Sequence, residues 1–394
     1  MQTSDNSKKW LYLLAFPIGH GAVDWGGGAL WLLAPAMALS MDLSPFQVGV
    51  MFAARQIAAG IAYLPAGVIG DRLSSRGVFL LSTFWWVSVT QLVASSSENY
   101  WIVLGFLALA NAGASAWHPV AMGAMTQWMP SRRGFVLGVH MMGGTVAEVA
   151  APLMVGGLLM FLSWEQVLQI STIPSIVMGL IFIRLAPMVI APAKELVSDM
   201  AMYDLIRLIM QPGTLLILLM IILHNMSIVA FMGMGPLYFQ EVKGFSSGIT
   251  GLAFSLFLVG GALAAPVVGH LSDRFGRKPI AIGGLVAGGI CAYLVIFAYG
   301  NLVIFPLLII TGLLMLSNRS AIIAMALERI GYRESTVLGI ISALGEGFAA
   351  LGAILAGILA STDLESAIIL AAILSISAGL VVLPVRKNQS NSRA

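Results

Sequence analysis

Two stretches of the 394-residue chain resemble each other: GVIGDRLSSR at residues 67–76 and GHLSDRFGRK at residues 269–278. In both, a glycine is followed after three residues by an Asp-Arg pair, and the two aspartates are 202 residues apart. A second pair of similar stretches, VLGV at 136–139 and VLGI at 337–340, is separated by 201 residues. Two matches at nearly equal separation predict an internal duplication.

The composition indicates that lipid is the solvent for most of the chain. Charged residues make up 9% and apolar residues 59%, and the mean hydropathy is +0.95. Soluble domains carry roughly a quarter charged residues, so this chain could not cover a water-exposed surface. The net charge of +3 therefore says nothing about nucleic acid, and we expect no nucleic-acid partner. The single cysteine, Cys291, lies in an apolar run and cannot form an intramolecular disulfide.

A spanning helix needs about 20 mostly apolar residues, and the chain contains twelve such runs. We place them near 11–39, 46–69, 78–95, 101–128, 134–162, 166–187, 213–240, 248–270, 279–299, 302–328, 336–360 and 365–384. The sequence thus predicts an all-α membrane protein of two six-helix halves. The halves are residues 1–187 and 213–394, joined by a cytoplasmic loop over 188–212.

Lysine and arginine side chains favour the cytoplasmic side of a membrane, which gives the orientation. With a cytoplasmic N-terminus, 17 of the 20 fall inside. These are Lys8, Lys9, Arg72, Arg76, Arg132, Arg133, Arg184, Lys194, Arg207, Arg274, Arg277, Lys278, Arg329, Arg333, Arg386, Lys387 and Arg393. Lys243 alone falls outside. We therefore expect a multi-pass plasma (inner) membrane protein with both termini in the cytoplasm.

Ionisable residues inside spans are costly and mark candidate functional sites. His20 and Asp24 are one turn apart on the first span, and Arg55 lies at a similar depth on the second. We predict an ion pair between Asp24 and Arg55, with His20 beside it. An anionic substrate that engaged Arg55 would then free Asp24 for a proton. The alternative is a static ion pair that only fixes the two helices.

Four further residues complete the predicted transport site. Glu148 in the fifth span and Glu346 in the eleventh have no opposite charge nearby in sequence, so each is protonated or faces a central cavity. We assign both to proton coupling, with Asp24. His118 and Arg319 are 201 residues apart, so the repeat places them at matching positions of the two halves. We assign His118, Arg319, Arg55 and His20 to substrate binding; the alternative for Arg319 is snorkelling towards the cytoplasm.

The sequence predicts no enzyme. It lacks the HExxH and GxSxG motifs and a phosphate-binding glycine-rich loop. We accordingly expect no cofactor and no metal ion, and we expect an ion gradient to supply the energy. The expected partners are a small-molecule substrate, protons and the lipid bilayer, with the chain acting as a monomer.

The second repeated loop fits the pattern GxxxDRxGR[KR], by which the chain resembles the major facilitator superfamily. The first loop departs from it at Ser74 and Ser75. The resemblance implies two halves that rock about a site near the bilayer midplane. It also implies gating roles for residues of the two loops. These are Gly67, Asp71, Arg72, Gly269, Asp273, Arg274 and Arg277.

A narrower resemblance rests on His20-x-x-x-Asp24, the run AWHPVA at 116–121, and RRG at 132–134 leading to HMMGG at 140–144. In these stretches the chain is similar to the fosmidomycin-resistance group, with Trp117 where that group usually has Phe. The resemblance implies efflux of small anionic or amphiphilic compounds in exchange for protons. Uptake of an organic anion by proton symport is the alternative, and a carrier-derived sensor without transport is a third reading.

Overall fold

The structure, a computed structural model, describes residues 2–73, 75–129, 132–189, 207–330 and 334–385. We number fourteen α-helices in these ranges. They are α1 Gln2–Ser40, α2 Pro45–Arg72, α3 Arg76–Ala94, α4 Tyr100–Trp128, α5 Arg133–Leu158, α6 Trp164–Ser171, α7 Ile173–Leu185, α8 Pro212–Glu241, α9 Ser247–Phe275, α10 Arg277–Leu294, α11 Asn301–Leu316, α12 Arg319–Ile330, α13 Glu334–Ala360 and α14 Leu364–Leu380. Single 3₁₀ turns follow α7 and α10.

Each of the twelve predicted spans corresponds to one helix or to two consecutive helices. Eleven segments of the described chain are long and apolar enough to cross a membrane, and α14 is apolar but shorter. The sixth span is divided at Thr172 between α6 and α7, and the tenth at Ser317 and Asn318 between α11 and α12. The prediction of an all-α membrane protein is confirmed. Of the predicted loop 188–212, residues 190–206 lie outside the described residues.

Polar side chains cap the N-termini of several helices, because a backbone group left unpaired in lipid is costly. Ser44 accepts a hydrogen bond from the backbone of Gln47, whose side chain in turn bonds the backbone of Ser44 at the start of α2. Ser163 forms the same capping box with Gln166 at the start of α6. Asn99 caps α4 through two backbone N–H groups. These capping bonds hold the turns at which the helices begin.

The hydrophobic core shows that the two halves are joined at one end of the bundle. We call this the closed end; it is the end at which α1 finishes and α2 begins. One large buried cluster there contains residues of both halves, including Leu33, Phe52, Phe231 and Phe254. At the opposite end, which we call the open end, one buried cluster belongs to residues 13–189 and another to residues 217–385. Among the described residues, the halves therefore share a buried core at the closed end and have separate ones at the open end.

Glycines set the close approach of the halves along two seams. A Cβ on Gly60 of α2 would lie 2.9 Å from Cα of Gly347 on α13. A Cβ on Gly156 of α5 would lie 2.9 Å from Cα of Gly251 on α9. Small residues allow such backbone contact between helices in lipid. Nearer the open end, the neighbour closest to Gly67 is Pro119 of its own half. In the predicted topology the open end is the cytoplasmic one.

Candidate transport site

Asp24 lies in the middle of α1 between two histidines. Its Oδ2 is 3.0 Å from Nε2 of His20, one turn away on the same helix, and its Oδ1 is 3.2 Å from Nε2 of His118 on α4. Charged groups buried in a membrane protein need partners of this kind. The Asp24 side chain retains 20% exposure, so the network is open to the space between the halves.

The second nitrogen of His20 indicates how many protons the network holds. Nδ1 lies 2.9 Å from the backbone carbonyl oxygen of His140, and a carbonyl oxygen only accepts, so Nδ1 carries a hydrogen. A hydrogen bond from the other side of the ring to Asp24 then needs a further proton, on Nε2 or on the carboxylate. Completing both hydrogen bonds thus takes one proton more than a neutral imidazole beside an ionised carboxylate.

A wall of buried rings fixes the orientation of His20. His140 on α5 is fully buried and stacks on His20 with ring centroids 4.3 Å apart. Trp117, also fully buried, stacks on His140 at 5.4 Å and lies 6.0 Å from His20, so it packs against both imidazoles. Gly144 leaves room for the imidazole, since a Cβ there would overlap the His20 ring. Packing of this kind holds a side chain in one rotamer.

The nitrogens of His20, His118 and His140 lie within 4.8 Å of one another, which is the spacing of a possible metal site. The ring planes of His20 and His140 are only 25° apart, however, at a centroid distance of 4.3 Å. The lone pairs of an imidazole lie in its ring plane, so two stacked rings do not point at one ion. This arrangement suits a proton better than a metal.

The second half contributes an ion pair that faces the same space. Nη2 of Arg319, the first residue of α12, lies 3.7 Å from Oε1 of Glu346 on α13. The arginine side chain is 58% exposed and that of Glu346 is 21% exposed. Nε2 of Gln56 on α2 donates a hydrogen bond to Oε2 of Glu346 at 2.9 Å. Glu346 therefore connects the two halves.

The predicted ion pair between Asp24 and Arg55 is wrong. Nη2 of Arg55 instead donates to Oδ1 of Asn111 on α4 at 3.2 Å, and Asn111 donates back to the carbonyl oxygen of Arg55 at 2.9 Å. The guanidinium lies 5.7 Å from the ring centroid of Trp31 and 5.8 Å from that of Phe52. Arg55 and Asp24 share a depth in the membrane, but the arginine turns towards α4.

Glu148 and Tyr63 also line the space between the halves. Glu148 on α5 is exposed and lies within electrostatic range of Asp24 and Arg319. Tyr63 on α2 stacks on His118 at 6.0 Å and lies within range of the same charges. Glu148 was predicted from the sequence, whereas Tyr63 and Gln56 were not. An uncharged polar residue in an apolar helix gives little indication in the sequence of a functional site. Gln56 could nevertheless have been noticed as an amide inside an apolar span.

The two repeated loops differ in their contacts at the open end. Nη1 of Arg277 forms an ion pair with Asp273, and its Nε donates to Oε1 of Glu328 at 3.0 Å. Arg277 also donates to Oγ of Ser272 at 2.8 Å. Arg274 lies over the ring of Phe275 at 5.4 Å. The sequence pattern did not identify Glu328, because it lies on another helix.

In the first loop, Arg76 is buried and its Nε donates to the carbonyl oxygen of Gly70 at 2.8 Å. Arg72 is exposed. The side chain of Asp71 lies outside the described residues, so its gating role stays a prediction. Gly67 and Gly269 both lie near residues of their own half, Pro119 and Ser320.

Comparison with known proteins agrees with this architecture. The family model described as Major Facilitator Superfamily matches residues 18–251 and 217–393. The chain is 23% identical over 290 residues, 71% of each protein, to a Haemophilus influenzae protein provisionally assigned to metabolite transport. It is 25% identical over 283 residues to a glycerol-3-phosphate transporter of Bacillus subtilis, covering 64% of this chain and 63% of that one.

Among solved structures, the nucleoside transporter NupG has the same fold. Its TM-score is 0.77 at 15% identity, over 96% of this chain and all of that one. The family match, together with two helical halves that pack around a polar site, identifies the class of protein. The chain belongs to the major facilitator superfamily and is a multi-pass secondary transporter that moves small solutes by alternating access.

Proposed function

We propose that this transporter carries a small organic anion and couples its movement to protons. The observation that supports the proposal most is the exposed Arg319 guanidinium, whose ion pair within the described residues is a 3.7 Å contact with Glu346. A guanidinium is always charged and presents a planar fork of donors that matches a carboxylate or phosphate. An arginine in this position gives an anion a binding site in the middle of the membrane.

Glu346 links the anion to a proton. When its carboxylate is ionised, it competes with an anion for the donors of Arg319. When it is protonated, that competition is removed, and Gln56 still holds it by a hydrogen bond. The anion therefore binds best to the protonated form, because opposite charges attract and like charges repel at short range. Glu148 lies in range of both groups and is a second candidate for the same proton.

The His20–Asp24–His118 network supplies the other half of the coupling. The contacts of His20 with the His140 carbonyl oxygen and with Asp24 support one proton held between His20 and Asp24. Loss of that proton would leave either His20 or Asp24 unable to complete its hydrogen bonds. A change of protonation would thus rearrange α1 against α4 and α5, three helices of the first half. This gives proton binding a physical effect on how the halves meet.

For the direction of transport we propose efflux in exchange for protons. His20, Asp24, Trp117, His118 and His140 carry the resemblance to the fosmidomycin-resistance group, and they gather into one cluster. Residues that are scattered over three helices and meet at one point support a shared site rather than a chance similarity.

Proton symport is the second candidate, and the contact between Arg319 and Glu346 favours it. Protonation of Glu346 and anion binding at Arg319 assist each other, so both ligands would occupy the carrier together. A carrier loaded with both would move them in the same direction. The glycerol-3-phosphate transporter shows that anions are among the solutes named for relatives.

Reconstituted protein in liposomes tests the proposal. Liposomes preloaded with a panel of carboxylates, phosphate esters and neutral nucleosides are given an inward or an outward pH gradient. Anions should move and neutral solutes should not. Efflux accelerated by protons outside supports exchange, whereas anion uptake accelerated by the same gradient supports symport. Transport of neutral solutes alone, or flux of anions that ignores both gradients, would overturn the proposal, and no flux of any solute would favour a sensor.

A further inference from the structure

A small cavity inside the first half lies apart from the proposed transport site. It is enclosed by α1, α2, α3 and α4, and its polar lining consists of Arg55, Gln91 and Asn111. Gly26 and Gly27 form part of the remaining wall. The cavity volume is about 10 Å³, which is roughly the room for one water molecule or one small ion.

Arg55 brings an uncompensated charge to this cavity. Its side chain is buried, with the residue only 5% exposed, and its Nη1 has no hydrogen-bond partner. Among the described residues, no carboxylate oxygen lies within 4.0 Å of the guanidinium. Asp24 and Glu346 are in electrostatic range, but the first is held by two histidines and the second by Gln56 and Arg319. A buried charge without a close counter-charge is strongly unfavourable.

Gln91 is the second unpartnered group at the cavity. It is buried on α3, and its Oε1 has no hydrogen-bond partner. Rotation about its last torsion exchanges the oxygen and the NH₂ group, so the amide is able to donate into the cavity. Together with Nη1 of Arg55, it would supply donors from two sides to an ion that has lost its water.

We propose that this cavity binds one small inorganic anion, of the size of chloride. A water molecule would fill the space and satisfy Nη1 but would leave the charge uncompensated, whereas an anion does both. The cavity is too small for an organic solute, so this anion is distinct from the one that Arg319 is proposed to bind. Bound between α2 and α4, it neutralises the charge that Arg55 places between these helices. This inference does not depend on the proposed transport function.

Halide dependence of stability and direct anion binding test the inference. Purified protein is held in sodium gluconate, and chloride, bromide or nitrate replaces gluconate at constant ionic strength. We expect a rise in Tm of about 2–4 °C, since a ligand that binds only the folded state stabilises it. Equilibrium dialysis with radioactive chloride should give about one site per chain, displaced by bromide and nitrate but not by gluconate or sulfate.

Variants locate the site. Arg55→Gln should lose both chloride binding and the Tm rise, and in gluconate it should be no less stable than the wild type, because it removes an uncompensated charge. Arg319→Gln is the matched control and should keep both responses. Asp24→Asn should also keep chloride binding even if it abolishes proton coupling, which separates this site from the transport proposal.

Three results would overturn the inference. These are the absence of chloride binding to the wild type in dialysis, a Tm that follows ionic strength with every salt, and an unchanged Tm response in Arg55→Gln. Each of them would mean that water alone fills the cavity.

Discussion

The two halves share an architecture but place different chemistry at the membrane midplane. In the first half, Asp24 and its histidines form a network whose members all belong to α1, α4 and α5. In the second half, Arg319 and Glu346 form a looser pair, and Glu346 reaches across to Gln56 of the first half. The duplicated position of His118 is Arg319, and that of Asp24 is Asn225, each 201 residues on.

This difference shows how a duplicated fold can divide its tasks. A network contained within one half can change its protonation without breaking contacts to the other half. A pair that bridges the halves reports on their separation and on any ligand between them. Our proposal therefore gives proton storage to the first half and anion binding to the second. The following four changes test this division, from the largest expected effect to the smallest.

Arg319→Gln should have the largest effect. Hydrogen bonds to a charged group contribute about 1.5–3 kcal/mol, so removal of the guanidinium should lower kcat/KM for the anion by roughly 10- to 100-fold. Arg319→Lys should recover part of the loss, because it restores charge without the planar fork. The measurement is initial flux in liposomes as a function of anion concentration. An equal loss for a neutral solute would show that Arg319 has a structural task instead.

Asp24→Asn should separate the driving force from the carrier. We expect exchange of labelled for unlabelled solute to continue, while stimulation by a pH gradient disappears, because the amide cannot take up the proton that His20 and Asp24 share. Glu98→Gln, at an exposed position in the loop before α4, is the control and should behave like the wild type. Full stimulation by the gradient in Asp24→Asn would remove the first half from the coupling mechanism.

Two adjacent glycines of α5 test the seam at which the halves meet. A Cβ on Gly156 would lie 2.5 Å from the carbonyl oxygen of Ser247 on α9, whereas a Cβ on Gly157 would have nothing within 4 Å. Gly156→Ala should therefore cost about 1–3 kcal/mol of stability through overpacking. Gly157→Ala should be neutral or stabilise the helix by about 0.5–1 kcal/mol. Thermal unfolding in detergent compares them, and equal Tm values would contradict the closed seam.

The loops at the open end should give the smallest effect. Arg277 pairs with Asp273 and Glu328, whereas its aligned position in the first loop is Ser75. These ion pairs are largely exposed, so Glu328→Gln should lower stability by only about 0.2–1 kcal/mol, and less at high salt. If the loop is a gate, Glu328→Gln should clearly change the rate of flux even though its free energy of unfolding changes by only this small amount. Stopped-flow transport measured alongside thermal unfolding separates the two effects. A flux in Glu328→Gln equal to that of the wild type would show that the ion pair has no gating role.

Much of the architecture was predictable because it depends on composition and periodicity. Twelve apolar runs, two matched loops and the polar residues at their ends are visible in the sequence, since lipid excludes charge and requires about 20 apolar residues per span. The charges inside spans marked Asp24, Arg319 and Glu346 for the same reason. The break at Ser317 and Asn318 within the tenth span was not visible, because both residues occur in continuous helices as well.

The polar residues near the midplane could be identified from the sequence, because a polar group buried in lipid is costly and stands out in an apolar run. Tertiary structure alone decided which of them meet. Asp24 and Arg55 have the same depth, and opposite charge made them an obvious pair. A helix nevertheless directs each side chain by its rotation about its own axis, and packing sets that rotation. Here packing turns Asp24 to His20 and His118, and Arg55 to Asn111, so the partners of a buried charge follow from how the helices pack.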